Sequence, residues 1–250
     1  MNKLLAVFIL LLSSSLFAQK SDFVAKSFKA AAPLYDNLLA KTKGNFIDYP
    51  HSLYPDGSLK HLQIDEWTDG FWPGALWYMY EYTKNNKWKD AALAWTHSLE
   101  SNQFNTSHHD IGFMMYCSYG NALRFVNDTK YPEILLQSAK SLTKRYSPVV
   151  GSIQSWNKRK SKGYINTWEY PVIMDNMMNL ELLFYASKIS GDTSYRNIAI
   201  KHADQTMKNH LRAEEKVRED GSTYWESKKH WIDAKNIEQL RSQQWFYGKI

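Results

Sequence analysis

The sequence predicts an all-α fold built from paired helices. Apolar residues recur at helical spacing through most of the chain, strand-like alternation is absent over any long window, and Pro and Gly sit mostly between the periodic segments as turn punctuation. The spacing predicts seven helices, near residues 22–41, 70–83, 88–103, 111–126, 131–146, 175–190 and 195–211.

The predicted helices pair. An apolar, aromatic-rich helix ends in a short polar turn, and an aromatic residue then opens a more amphipathic helix. Tyr82–Asn86 leads to Trp88, Val126–Lys130 leads to Tyr131, and Ile189–Ser194, with Gly191 and Asp192, leads to Tyr195. These aromatics recur about every 53 residues on average, within the range of helical-repeat arrays. The first helix of a pair, as at 71–80 and 177–185, is apolar nearly all round and should be buried on most faces. The second is one-sided and should face solvent. Alternating inner and outer helices describe a solenoid or a closed α/α toroid. Six pairs of this length need about 320 residues, and the chain supplies about four pairs.

Composition narrows the class. With 250 residues, 44% hydrophobic and 22% charged, the chain can bury one sizeable core. It holds ten Trp and sixteen Tyr, rings that first of all fill cores but also form flat platforms for sugars. Residues 1–18 read as an export signal, with Lys3, the apolar run Leu4–Leu12, the serines Ser13–Ser15, and Ala18 before Gln19 as the cleavage point. That run is short for a transmembrane helix, and no later segment approaches 18 apolar residues. Residues 19–250 are therefore expected to form one exported domain, periplasmic or extracellular, without a membrane span. Cys117, the single cysteine, cannot form an internal disulfide and reads as a small buried hydrophobe. No Cys/His metal framework appears. Nor is there a P-loop, a G-x-G-x-x-G, a G-x-S-x-G or an H-E-x-x-H motif. The net charge of +6 suits an acidic ligand, but no Lys/Arg stripe interleaves with aromatics, which argues against nucleic acid.

Acidic residues stand before three predicted inner helices: Asp65, Glu66 and Asp69 before Phe71, Asp110 before Ile111, and Asp175 before Asn176. If the inner helices start at one end of the molecule, these carboxylates converge on one rim. Helix capping explains an Asp in such a place equally well. Asp175, however, lies between Pro171-Val172-Ile173-Met174 and Met177-Met178, an apolar setting that desolvates a carboxyl and suits it to general acid work. His109, beside Asp110, could hold or polarise it. Paired carboxylates in an aromatic-lined cleft form the general pattern for cleaving glycosidic bonds.

Three runs carry a resemblance. Asp65-Glu66-Trp67-Thr68-Asp69-Gly70-Phe71-Trp72-Pro73-Gly74-Ala75-Leu76-Trp77, His109-Asp110-Ile111-Gly112-Phe113-Met114 and Trp168–Glu181 resemble, in order, the signatures of the unsaturated glucuronyl hydrolases, glycoside hydrolase family 88. The resemblance implies a six-hairpin (α/α)6 barrel, incomplete in this chain. It implies action on oligosaccharides that carry a 4,5-unsaturated uronic acid at the non-reducing end, by hydration of a vinyl ether. It assigns Asp175 as general acid/base and Asp110 as its assistant, with Trp67, Phe71, His109 and Trp156 lining the sugar site, and it implies no metal or organic cofactor. The related unsaturated rhamnogalacturonyl hydrolases share fold and reaction. A sugar-binding remnant without catalysis, and a helical-repeat interaction protein, are the readings from other classes.

The resemblance weakens after Tyr224. Trp225-Glu226-Ser227 stands where the family has His-Val-Val, and Arg241-Ser242-Gln243-Gln244-Trp245 only echoes a family segment rich in Arg-Gly-Gln-Ala-Trp. The chain stops at Ile250, about one third short of the full barrel on the repeat length. Weak or absent turnover is the resulting expectation.

Overall fold

The protein is described by a computed structural model covering residues 23–42, 44–160, 167–217, 223–227 and 231–233. The expected export signal at 1–18, Gly221-Ser222 and Arg241–Trp245 lie outside the described residues.

Helix α1 runs over residues 23–42 and lays Phe28, Ala31, Tyr35, Leu38 and Leu39 against the core, a stripe at helical spacing. An antiparallel ribbon follows, β1 (Asp48–Leu53) with β2 (Leu59–Gln63). Its turn uses Gly57 at φ +80°, and Asp56 Oδ1 accepts the Ser58 N–H. Helices α2 (Phe71–Thr83) and α3 (Asn86–Ser98) form the first tight hairpin. Lys84 turns left-handed at φ 56°, and Asn85 caps α3 by accepting the Lys87 N–H at 3.1 Å. Next come α4 (Ile111–Met115), which continues as a π turn over Tyr116–Gly120, and α5 (Lys130–Thr143). The second tight hairpin is α6 (Leu180–Ser190) with α7 (Thr193–His210), joined through Gly191 at φ +75°.

The remaining strands are short antiparallel pairs: β3 (Tyr146–Ser147) with β4 (Ser152–Ile153), β5 (Arg159–Lys160) with β6 (Thr167–Trp168), β7 (Pro171–Ile173) with β10 (Trp231–Asp233), and β8 (Leu211–Val217) with β9 (Thr223–Ser227).

Three expected helices are cut where side chains find other partners. The helix expected over 88–103 stops at Ser98 and tightens into a 3-10 turn, Glu100–Phe104, in which Asn102 donates to the Ile64 carbonyl at 2.6 Å. That expected over 111–126 breaks into the π turn, where Ser118 Oγ back-bonds to the Met114 carbonyl. That expected over 175–190 opens as a 3-10 turn, Met174–Asn179. Asn176 and Asn179 aim their amides into buried contacts with other elements.

The one-sidedness of the second helices is borne out. Helix α3 buries Trp88, Ala92, Trp95 and Thr96, and α5 buries Tyr131, Ile134, Leu135, Ser138, Ala139 and Leu142, each along one stripe. The first helices are less enclosed than expected, since α2 exposes Phe71, Tyr78 and Tyr82 and α6 exposes Phe184. Trp77, Trp88, Trp95, Tyr49 and Tyr119 are fully buried and form the centre of the core. Trp72 and Trp168 are buried too, so most of the described tryptophans pack rather than bind.

Gly70 and Gly74 allow the closest helix approach. A Cβ on Gly70 would stand 2.4 Å from the Met114 Cα, and one on Gly74 would stand 2.9 Å from the Cys117 carbonyl oxygen. The start of α2 therefore lies directly on α4 and its π turn, which sets Phe71 against Phe113.

The buried stripe of α7 turns polar toward its end, with His202, Thr206 and His210. His202 Nδ1 accepts the Ile153 N–H at 3.1 Å. Burial first, then the neighbouring His109 and His210, pull its pKa down to about 3. An unfolded histidine titrates near 6.5. The unfolded chain thus binds the proton first, and stability falls as pH drops below about 6.5. This group alone should remove about 2 kcal/mol between pH 6.5 and 5. In His202→Asn, whose amide oxygen can accept the same N–H, thermal unfolding should show a flatter pH dependence over that window. An unchanged slope would rule the group out.

Candidate active site

The two carboxylates singled out from sequence meet at one imidazole. Asp110 closes the loop into α4 and makes no side-chain cap bond, so capping does not account for it. Its Oδ2 lies 3.1 Å from His108 Nδ1 and its Oδ1 lies 3.1 Å from His109 Nε2. His109 Nε2 is also 3.7 Å from Asp175 Oδ1. Asp175 arrives on the 3-10 turn after β7, which enters from extended Ile173. The nearest oxygens of Asp110 and Asp175 are within 4.8 Å of each other.

The charges are set by surroundings. Burial pushes the Asp110 carboxyl up, but the imidazoles of His108 and His109, each 3.1 Å away, outweigh it and hold Asp110 well below the usual carboxylate range. Asp110 is therefore a standing anion. Asp175 departs from expectation, because its side chain is 36% exposed rather than sealed among Met and Pro. The desolvated acid is Asp69, 1% exposed, whose carboxyl is pushed up to about 8 by burial. Its Oδ2 accepts the Glu66 N–H at 3.2 Å, so it organises the turn ahead of α2.

Aromatic side chains stand on the elements that carry the pair. Trp67 and Phe71 are exposed and meet edge to face at 6.2 Å. Phe113, buried three residues after Asp110, stacks under Phe71 at 5.5 Å and ties this platform to α4. Trp156 sets its ring edge-on to His109 at 5.6 Å. The local backbone holds it there, since the His109 N–H donates to the Ser155 carbonyl and the Ser155 N–H donates to the Pro171 carbonyl. The structure thus joins Asp110, Asp175, His109 and Trp156, and sets Trp67 and Phe71 on Phe113 of the same α4.

Sequence reasoning left out His108, Phe113, Arg145, Asn176 and Asn179. Buried Arg145 ties the loops around the site together by donating to the carbonyls of Gln154 at 2.7 Å and Thr106 at 2.5 Å. His108 and Phe113 stood beside or within the second motif and Asn179 within the third, so adjacency was the available signal. Nothing local marked Arg145.

Among the described residues, His109, Asp110 and Asp175 form the group of ligand atoms close enough to hold a cation. A cation would need the Nε2 lone pair of His109. That would move the ring proton to Nδ1, which faces the Asn179 amide N–H at 3.3 Å, donor against donor. The set is poorly arranged for a metal.

No family model matches the chain. It is 45% identical over 172 residues to the unsaturated glucuronyl hydrolase of Formosa agariphila, an alignment covering 68% of this chain and 42% of that protein. The chain is homologous to the unsaturated glucuronyl hydrolases, glycoside hydrolase family 88. It is 33% identical over 187 residues to the unsaturated chondroitin disaccharide hydrolase of Streptococcus agalactiae, covering 71% of this chain and 44% of that one. A crystal structure of an unsaturated glucuronyl hydrolase specific for heparin superimposes with a TM-score of 0.67 at 36% identity, over 85% of this chain and 52% of that one. The chain thus spans about half the length of these relatives. The all-α fold is the one the helical pairing anticipated, and of the solenoid and the toroid that the pairing left open, it is part of an α/α toroid, as the resemblance implied.

Proposed function

We propose that this chain carries the site of a glycoside hydrolase that removes 4,5-unsaturated uronic acid from the non-reducing end of lyase-generated oligosaccharides. The observation that carries the reading is Asp175 and Asp110 meeting across His109, with the exposed rings of Trp67 and Phe71 set on Phe113 of the helix that Asp110 opens. Relatives named for glucuronyl and chondroitin disaccharide hydrolysis support the substrate class.

Two carboxyls this close divide the work. Asp110, held ionised by two imidazoles, is a poor proton donor and serves as an acceptor for sugar hydroxyls. Asp175, reachable from solvent, carries the proton. It protonates C4 of the double bond, and the resulting Asp175 carboxylate takes a proton from the water that adds at C5. The hemiketal then opens and releases the remaining sugar chain. Protons balance over the cycle without a cofactor. Trp67 and Phe71 offer stacking faces to the sugar, and Trp156 walls the site behind His109.

The test is the vinyl-ether absorbance of an unsaturated disaccharide mixed with the purified chain. A slow loss of absorbance is expected. A band that persists beside protein folded by circular dichroism would favour a sugar-binding role without catalysis.

We also propose export, supported by Lys3, the Leu4–Leu12 run and Ala18. Among the described residues no helix is long and apolar enough to cross a membrane. N-terminal sequencing of the processed protein should begin at Gln19.

A further inference from the structure

A chain of buried amides stands behind the site and ends at a ring nitrogen of His109. Asn179 is fully buried, and its Oδ1 accepts the Phe113 N–H at 2.9 Å. That backbone donor fixes the amide orientation, so the Nδ2 end faces the other way. One Nδ2 hydrogen goes to Asn176 Oδ1 at 2.9 Å and the other points at His109 Nδ1 at 3.3 Å. The orientation of Asn176 is fixed in turn, because its Nδ2 donates to the Ile153 carbonyl at 2.8 Å. Each amide in the series has one possible direction, and all three side chains are fully buried, where an unmatched donor or acceptor is costly. Gly112 makes room for the device: a Cβ there would lie 2.3 Å from Asn179 Oδ1.

We propose that Asn179 is a positioning residue that fixes His109 in the tautomer protonated on Nε2, so that its N–H faces the space between the Asp110 and Asp175 carboxyls. Nδ1 meets only a donor and must accept, which leaves the proton on Nε2, 3.1 Å from Asp110 and 3.7 Å from Asp175. Resting on the hydrolase reading above, the inference gives His109 a definite part. When Asp175 releases its proton to the sugar, a small shift of the ring brings the Nε2–H onto the new carboxylate. His109 keeps its proton throughout and acts as a hydrogen-bond donor rather than a relay. With the proton on Nδ1, a lone pair would instead face two carboxyls.

Nitrogen-15 NMR of histidine-labelled full chain tests this independently of turnover, because protonated and bare ring nitrogens differ widely in shift. His109, assigned by loss of its signals in His109→Gln, should show a protonated Nε2 and a bare Nδ1 near neutral pH. In Asn179→Asp an acceptor replaces the donor, and the proton should move to Nδ1. With the unsaturated disaccharide, kcat of that variant should fall by about 10²-fold or more, with KM within about threefold. A wild-type spectrum with Nδ1 protonated overturns the inference even if the variant fails to fold. A switched tautomer with unchanged kcat overturns the catalytic part. If the unsubstituted chain shows no turnover, the hydrolase reading fails while the tautomer assignment is still decided.

Discussion

Replacing Asp175 with asparagine should lower kcat on an unsaturated disaccharide by about 10⁴-fold, the upper end of what one general acid/base contributes, and leave KM within a few-fold. Asparagine keeps the shape of the side chain on the 3-10 turn but can neither give a proton to C4 nor take one from water. Both transfers are assigned to the same carboxyl, so both are lost together. Neighbouring Asp110 cannot substitute, because His108 and His109 hold it ionised and the layer behind them is closed by Asn179 and Asn176. The readout is the rate of loss of vinyl-ether absorbance, compared with the unsubstituted chain at equal concentration. A variant retaining more than about a tenth of the rate would remove Asp175 from the proton-carrying role.

Trp77→Ala should cost about 3–5 kcal/mol of folding stability, the range for deleting a large aromatic from a closed core. Trp77 is fully buried, stacks on Phe125 at 5.7 Å and meets Tyr80 edge-on at 6.4 Å. Its Nε1–H donates to Thr96 Oγ1 at 3.0 Å, which links α2 to α3. Alanine would leave a cavity between these helices and remove the partner of a buried hydroxyl. Domains typically have only about 5–15 kcal/mol in total, so the variant should sit close to its unfolding transition at room temperature. Trp77→Phe keeps most of the ring volume and loses the N–H, for a smaller cost of about 1–2 kcal/mol. Urea unfolding midpoints give the comparison. A loss below about 1 kcal/mol for the alanine variant would show that this helix pair is not central to the core.

The helical pairs could be read because their signal is local. A stripe at 131, 134, 135, 138, 139 and 142 needs only the 3.6-residue period to be recognised as a buried face, and the structure buries it. Trp77 and Trp95 could be expected inside for the same reason. The breaks within helices could not. The 3-10 turn carrying Asp175 arises where Asn179 and Asn176 bond to groups brought close by the fold, and the π turn after α4 lies where α2 packs on it. Their partners lie on other elements, or depend on how α2 presses on α4 through Gly70 and Gly74.

The candidate site divides along the same line. Which residues belong to it was written in three runs of sequence, and Asp110, Asp175, His109, Trp67 and Phe71 follow from those runs together with the resemblance they carry. How each acts depends on its surroundings. Apolar neighbours in sequence suggested that Asp175 would be the desolvated acid, yet the structure leaves it half-open and buries Asp69 instead. Two imidazoles lower the Asp110 carboxyl, and the buried amide of Asn179, 70 residues along the chain, faces His109. Residue identity and helical periodicity are properties of the chain itself, whereas desolvation, hydrogen-bond direction and charge depend on contacts made across the sequence and exist only once the helices have packed.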